Sequence, residues 1–142
     1  MTEGASAIEV RWLEVRATIR SVPPEVADLL SREGALLVDI RPVEQRERFG
    51  TIPGAILVDR NVLEWRLDPT SPHRIAGVMD TDQPIVIFCQ EGFSSVLAVA
   101  SVAALGLTNV HDLAGCFDAW VKAGLPTNPR TTPGSPRSGT PD

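Results

Sequence analysis

Cys89 is the residue whose surroundings point most directly to chemistry. It opens the stretch Cys89-Gln90-Glu91-Gly92-Phe93-Ser94-Ser95, which lies between two apolar runs of different character. Pro84-Ile85-Val86-Ile87-Phe88 precedes it, continuous and largely β-branched, as in a buried parallel strand. Val96 to Leu105 follows, apolar on nearly every helical face and stopped by Gly106, as in a buried helix with a glycine C-cap. The cysteine therefore falls at the carboxyl end of a strand and the mouth of a helix, where open α/β sheets hold their ligands. Unpaired N–H groups and the partial positive charge of a first helical turn stabilise an anion. A thiol ordinarily near 8.5 falls to about 3.5–7.5 in such surroundings. Gly92 frees the loop to turn successive amides inward as an anion nest, and Ser94 or Ser95 is placed to cap the helix. Taken alone, the stretch reads equally well as an unreactive cysteine closing a buried strand.

Other strands deliver residues to the same edge. Ala35-Leu36-Leu37-Val38 is a short buried strand ending in Asp39 and Arg41, and Ala55-Ile56-Leu57-Val58 is a second, ending in Asp59 and Arg60. Asn109 to Leu113 is the last strand, followed by the tight turn Ala114-Gly115-Cys116. Between them come a charged helix from Val43 to Phe49, a short helical segment from Asn61 to Leu67 and a helical turn or two over Ile75 to Met79. Phe117 to Ala123 is an amphipathic helix, with Phe117 and Trp120 as core residues. Near the amino terminus Ile8, Trp12, Val15 and Ile19 recur at helical spacing, which predicts a helix over residues 5–17 and an extended piece near Ile19. Ser21-Val22-Pro23-Pro24-Glu25 reads as a helix start capped by Ser21, with Val26, Leu29 and Leu30 as its apolar stripe.

Strands alternating with helices imply a parallel sheet covered on both faces. Right-handed crossovers bring every strand end to one edge. Asp39, Arg41, Asp59, Arg60, Cys89 and Cys116 then converge, which favours the reactive reading of Cys89.

Composition narrows the function classes. With 142 residues, 43% of them hydrophobic, the chain is expected to form one domain with a real core. A net charge of −5 leaves no electrostatic footprint for nucleic acid or for an anionic membrane. No apolar run approaches the ~20 residues that span a bilayer. The amino terminus, with Glu3, Glu9 and Glu14, lacks the pattern of a signal peptide, so a cytoplasmic setting is the expectation. Cys89, Cys116, His73 and His111 fit no zinc spacing, so neither a metal nor another cofactor is expected. From Thr127 the chain turns to Pro, Thr, Ser, Gly and Arg, the composition of a disordered tail. The expected organisation is an extension over 1–19, a domain over 20–126 and a tail over 127–142.

Four ordered motifs are together specific. They are Val38-Asp39-Ile40-Arg41, Thr51-Ile52-Pro53-Gly54-Ala55, the Cys89 loop, and Leu113-Ala114-Gly115-Cys116-Phe117-Asp118-Ala119-Trp120. In order and spacing they resemble the signatures of single-domain rhodanese-like sulfurtransferases, over about residues 20–125. Asn61 to Pro69 resembles a feature of an actinobacterial branch of that family. The resemblance implies a five-stranded parallel sheet in a three-layer α/β/α fold, and a six-residue active loop, Cys89 to Ser94, whose cysteine carries sulfur as a persulfide. It also implies small-molecule partners, a sulfur donor such as thiosulfate and an acceptor such as cyanide or a thiol. A protein or low-molecular-weight thiol is a further candidate partner. Oligomeric state is not legible.

The chain departs from the family pattern at three places. Thr51 stands where the family usually has histidine, and Cys116 where it has a second glycine. Gln90 and Glu91 stand where many members carry a basic residue, which weighs against thiosulfate, a dianion. Asp39 and Arg41 read as structural support for the loop. Arg60 and Arg66 are candidates to supply the missing positive charge, or else surface arginines. Trp65 is a candidate pocket wall, or an amphipathic residue beside the core. Cys116 is a candidate second thiol, able to resolve a persulfide or form a disulfide if it lies beside Cys89; otherwise it is a small side chain filling a turn. Besides a sulfurtransferase, two functions stay in view: a non-catalytic rhodanese-like sensing or docking module, and a phosphatase or arsenate reductase of related fold. The last wants a longer loop ending in an oxyanion-gripping arginine, where this chain has Ser94 and Ser95.

Overall fold

The computed structural model describes residues 4–129. Five parallel strands, β1 (Arg20–Val22), β2 (Leu36–Asp39), β3 (Ile56–Leu57), β4 (Ile85–Phe88) and β5 (Val110–Leu113), form one sheet in the order β1-β5-β4-β2-β3. β4 lies at the centre and is buried along its whole length, as its unbroken apolar sequence requires. Registers Asp39↔Phe88 and Ile87↔Asp112 bring the ends of β2, β4 and β5 level. Among the described residues, six α-helices cover the sheet. α1 (Ala7–Arg16) and α4 (Leu63–Leu67) pack on α5 (Ser94–Ala103), while α2 (Pro24–Arg32) packs on α6 (Cys116–Lys122). α3 (Val43–Phe49) joins β2 to β3, as predicted from Pro42 and Gly50.

Several elements differ from expectation, each for a local reason. Ser21 is in β1 rather than capping a helix, and α2 starts from Pro23 with no side-chain cap. The buried face of α2 is Pro24 and Ala27, with Val26 and Leu29 turned to solvent, because close packing against the sheet selects the small residue. The strand expected over 55–58 shrinks to two residues at the sheet edge, with Leu57 exposed, since β3 has a neighbour on one side only. Residues 75–79 form turns, not helix; Ile75 and Val78 are buried as anchors under an otherwise open loop.

Order extends slightly past the expected domain end. Asn128 forms an antiparallel bridge with Thr51, through Asn128 N–H to Thr51 O at 2.7 Å, and Asn128 Nδ2 donates to Thr51 Oγ1 at 3.0 Å. The rest of the tail expected to be disordered, 130–142, lies outside the described residues.

Candidate functional site

Cys89 leaves β4 at the sheet's central edge with only 6% of its surface exposed. Gly92, at φ +114°, turns the loop back on itself, a conformation that disfavours any side chain. Its N–H thereby donates to Cys89 Sγ at 3.2 Å. Cys116 lies on the other side, its Sγ 3.6 Å from Cys89 Sγ, and it accepts the Cys89 backbone N–H at 3.2 Å. The Cys116 thiol, donating to Cys89, is the largest influence holding Cys89 down to about 4. Burial opposes this, and the Ser95 and Ser94 hydroxyls and the Ser95 amide add to it. Cys116 keeps the shared proton, so its own pKa is pushed far up by the bond to Cys89, then by burial and neighbouring negative charge. Of the loop amides, that of Gly92 makes a hydrogen bond to Cys89 Sγ, and the strongest influence beside it is a second thiol rather than the helix terminus. Ser94 and Ser95 do not cap α5.

The loop is pinned from below by α6 and Arg41. Phe117 N–H donates to Cys89 O and Asp118 N–H to Gln90 O, both at 3.1 Å. Gln90 Nε2 donates to Asp118 Oδ1 at 2.6 Å, and Gln90 Oε1 accepts from Arg41 Nη1 at 2.9 Å. Arg41 is itself buried, paired with Asp39 through Nη2 at 2.8 Å and Nε at 3.0 Å, and it donates to Gly50 O. Its guanidinium sits 4.1 Å from the Phe117 ring centroid. Asp39 and Arg41 are thus bonded to each other, and Arg41 also to the Gln90 side chain and the Gly50 carbonyl.

Two contributors were not foreseen. Asp112 is buried behind the cysteines and accepts from Ser95 Oγ at 2.5 Å and Ser21 Oγ at 3.2 Å. Burial raises its carboxyl to about 6, against the Ser95 bond. The alternation of Val110 and Asp112 on one face of β5 was the available signal. The other is Trp12 on α1, whose Nε1–H donates to Phe93 O at 2.9 Å across 81 residues of sequence. Ile8, Trp12, Leu13, Phe93 and Leu97 line an apolar groove of about 450 Å³ there. The amino-terminal extension thus buttresses the loop.

The two candidate substrate arginines are engaged in other bonds. Arg60 pairs with Glu64, which also accepts from Ser101 Oγ and so ties α4 to α5. Arg66 donates to the His73 carbonyl at 2.8 Å, and Trp65 is 58% exposed. None of these bonds runs to the loop. His111 Nε2 pairs with Asn109 Oδ1. The cation lining a cleft beside the loop is instead Arg48 on α3, together with Glu44, Phe49, Gln90 and Glu91.

A five-stranded parallel sheet delivers Cys89, its pKa held low, from the end of its central strand to the loop that opens α5. Residues 22–123 match the model of the Rhodanese-like domain, and the chain belongs to that family. Among curated proteins it is 32% identical over 106 residues to the thiosulfate sulfurtransferase GlpE of Actinobacillus succinogenes, an alignment spanning 74% of this chain and 86% of that one. Its counterpart in Pseudomonas savastanoi pv. phaseolicola is 32% identical over 104 residues, covering 71% and 86%. A human single-domain sulfurtransferase of solved structure is 30% identical with a TM-score of 0.61, over 72% of this chain and 95% of that one. A Rhodopseudomonas palustris protein of unknown function, described as a possible tyrosine phosphatase, is 32% identical with a TM-score of 0.75, over 90% and 96%. The chain is an enzyme of the rhodanese sulfurtransferase type. No helix among the described residues is long and apolar enough to cross a membrane.

Proposed function

We propose that the protein moves a sulfane sulfur from thiosulfate or an organic persulfide to a cyanide or thiol acceptor, by way of a Cys89 persulfide. One observation carries the reading: Cys89 Sγ is held between the Gly92 amide and the Cys116 thiol, at a pKa far below that of a free thiol. The thiolate attacks the sulfane sulfur and the donor departs as sulfite or as a thiolate. The new S–S bond leaves its outer sulfur as an anion facing the loop donors, which need no reorganisation to receive it. The acceptor then takes that outer sulfur and returns Cys89 to the thiolate. No general base is required, because the attacking group is already ionised. Free thiols and small diffusible partners accord with a cytoplasmic setting, which is part of the proposal.

Mass spectrometry at the first time points after mixing with either donor should show one added sulfur on the Cys89 peptide and none in Cys89→Ser. Unchanged mass with both donors would defeat the reading. The phosphatase described for the Rhodopseudomonas relative is the competing chemistry. It wants an arginine closing the loop, whereas Arg41, whose guanidinium bonds Gln90, is committed to Asp39 and Gly50 as well. Hydrolysis of p-nitrophenyl phosphate should stay at background. A docking module without catalysis predicts instead a Cys89 inert to alkylation at neutral pH.

Donor preference follows from charge. Glu91 is exposed on the loop and faces an incoming dianion, with Arg48 as the cation of the adjoining cleft. A thiol persulfide should therefore load faster than thiosulfate in single turnover. Glu91→Lys should raise thiosulfate loading about tenfold, the equivalent of about 1.4 kcal/mol, and leave persulfide loading nearly unmoved. Equal response of both donors would show that loop charge does not set the preference.

A further inference from the structure

We infer that Cys116 is a resolving thiol: it attacks Cys89 once Cys89 carries sulfur, so that the protein releases sulfide and closes an internal Cys89–Cys116 disulfide. The inference rests on the proposed persulfide and adds a second outcome to it, reduction of the sulfane sulfur in place of its transfer.

Three observations carry it. The two sulfur atoms are 3.6 Å apart in the reduced protein, so about 1.5 Å of approach makes the ~2.05 Å bond of a disulfide. Both thiols are free and already in contact, which gives the intramolecular attack its advantage over an external thiol that must first diffuse in. Third, Cys116 is the one non-glycine residue at positive φ among the described residues, at +53°. Beside it Gly115, at φ +71°, could not carry a side chain without meeting Ala119 at 2.6 Å. A glycine would occupy position 116 without strain, so the cysteine there carries a backbone cost, set against the contacts its buried sulfur makes with Cys89.

The step balances. The persulfide anion on Cys89 and the Cys116 thiol become the Cys89–Cys116 disulfide and hydrosulfide. The bond between Cys89 sulfur and the outer sulfur breaks, and the bond between the two cysteine sulfurs forms. The outer sulfur is reduced from the sulfane level to sulfide, and the two cysteines are oxidised by two electrons together. The Cys116 proton ends on the departing sulfur. Ser95 Oγ, 3.1 Å from Cys116 Sγ and bonded to the Asp112 carboxylate, is the nearest group through which it can leave the buried thiol. Two equivalents of a low-molecular-weight thiol then reduce the disulfide and reset the protein.

The test is anaerobic single turnover with a slight excess of a thiol persulfide, with no acceptor added. Intact mass, free sulfide and a non-reducing peptide map are followed in the parent and in Cys116→Ser. The parent should gain one sulfur and then lose it, release about one sulfide per chain, and end two hydrogens lighter with Cys89 and Cys116 in one linked peptide. Cys116→Ser, however slowly it loads, should hold its added sulfur at least about tenfold longer and release no sulfide. Cys116→Gly relieves the left-handed backbone and supplies the same comparison should the serine variant fold poorly. A parent that keeps its persulfide as long as the variants, with no linked peptide, overturns the inference and leaves the sulfurtransferase reading intact. Absence of any added sulfur in all three proteins defeats the sulfurtransferase reading itself.

Discussion

Replacing Cys89 by serine is expected to lower sulfur transfer at least about a thousandfold while leaving the fold in place. The serine is nearly isosteric, and its hydroxyl can accept the Gly92 amide and the Cys116 thiol just as the sulfur does. Stability should therefore change little. What vanishes is an atom that ionises below neutral pH and bonds reversibly to sulfane sulfur, and no neighbour can substitute for it. Cys116, the nearest thiol, is buried and keeps its proton. Thiocyanate formation from donor and cyanide, measured alongside a urea unfolding curve, separates the two effects. Residual transfer above a few per cent would mean that Cys116 can carry sulfur on its own.

The largest structural effect belongs to Arg41→Ala. Arg41 and Asp39 form an ion pair with neither side chain exposed, and the same guanidinium holds the Gln90 side chain and the Gly50 carbonyl. Truncation strands the Asp39 carboxylate in the interior and leaves two further acceptors unmatched. Losing one partner of a buried pair typically costs about 3–5 kcal/mol. Against a total stability of about 5–15 kcal/mol, that is a large fraction. The urea midpoint should fall accordingly. Arg41→Lys should recover only part of it, because an ammonium cannot span Asp39, Gln90 and Gly50 in one plane. Where the variant still folds, donor loading should also slow, because Gln90 loses one of its two anchors. A loss of under about 1 kcal/mol would show that the pair is not the clamp described here.

The frame of this fold was readable because burial imposes patterns that survive without coordinates. β4 had to be central because Ile85-Val86-Ile87-Phe88 has no polar face to offer solvent. The place of the Cys89 loop followed from what a strand end, a glycine and a helix start do together. β3 was overestimated because an apolar tetrapeptide does not reveal how many neighbours its strand will have. The apolar stripe of α2 was placed rightly at Leu30 and wrongly at Val26 and Leu29, which are larger than Ala27, the residue that fits the close contact. Within the site, Cys89, Asp39 and Arg41 announced themselves by local context. Asp112, Trp12 and Arg48 did not, since each reaches the loop through tertiary packing, Asp112 across 17 residues of sequence and Trp12 across 81. Arg60 and Arg66 illustrate the converse: a cation near the right strand end in sequence can be spent on a carboxylate or carbonyl next door.

The claim beneath all of this is that Cys89 is negative in the resting protein. Alkylation by iodoacetamide as a function of pH, resolved by peptide so that Cys89 and Cys116 are counted separately, tests it most directly. With its pKa depressed to about 4, Cys89 should react at an unchanged rate from pH 8 down to pH 6 and lose reactivity only as the pH nears that value, while Cys116 stays unmodified throughout. A Cys89 rate that climbs tenfold per unit up to pH 8 would mean a neutral thiol there, and would contradict the account.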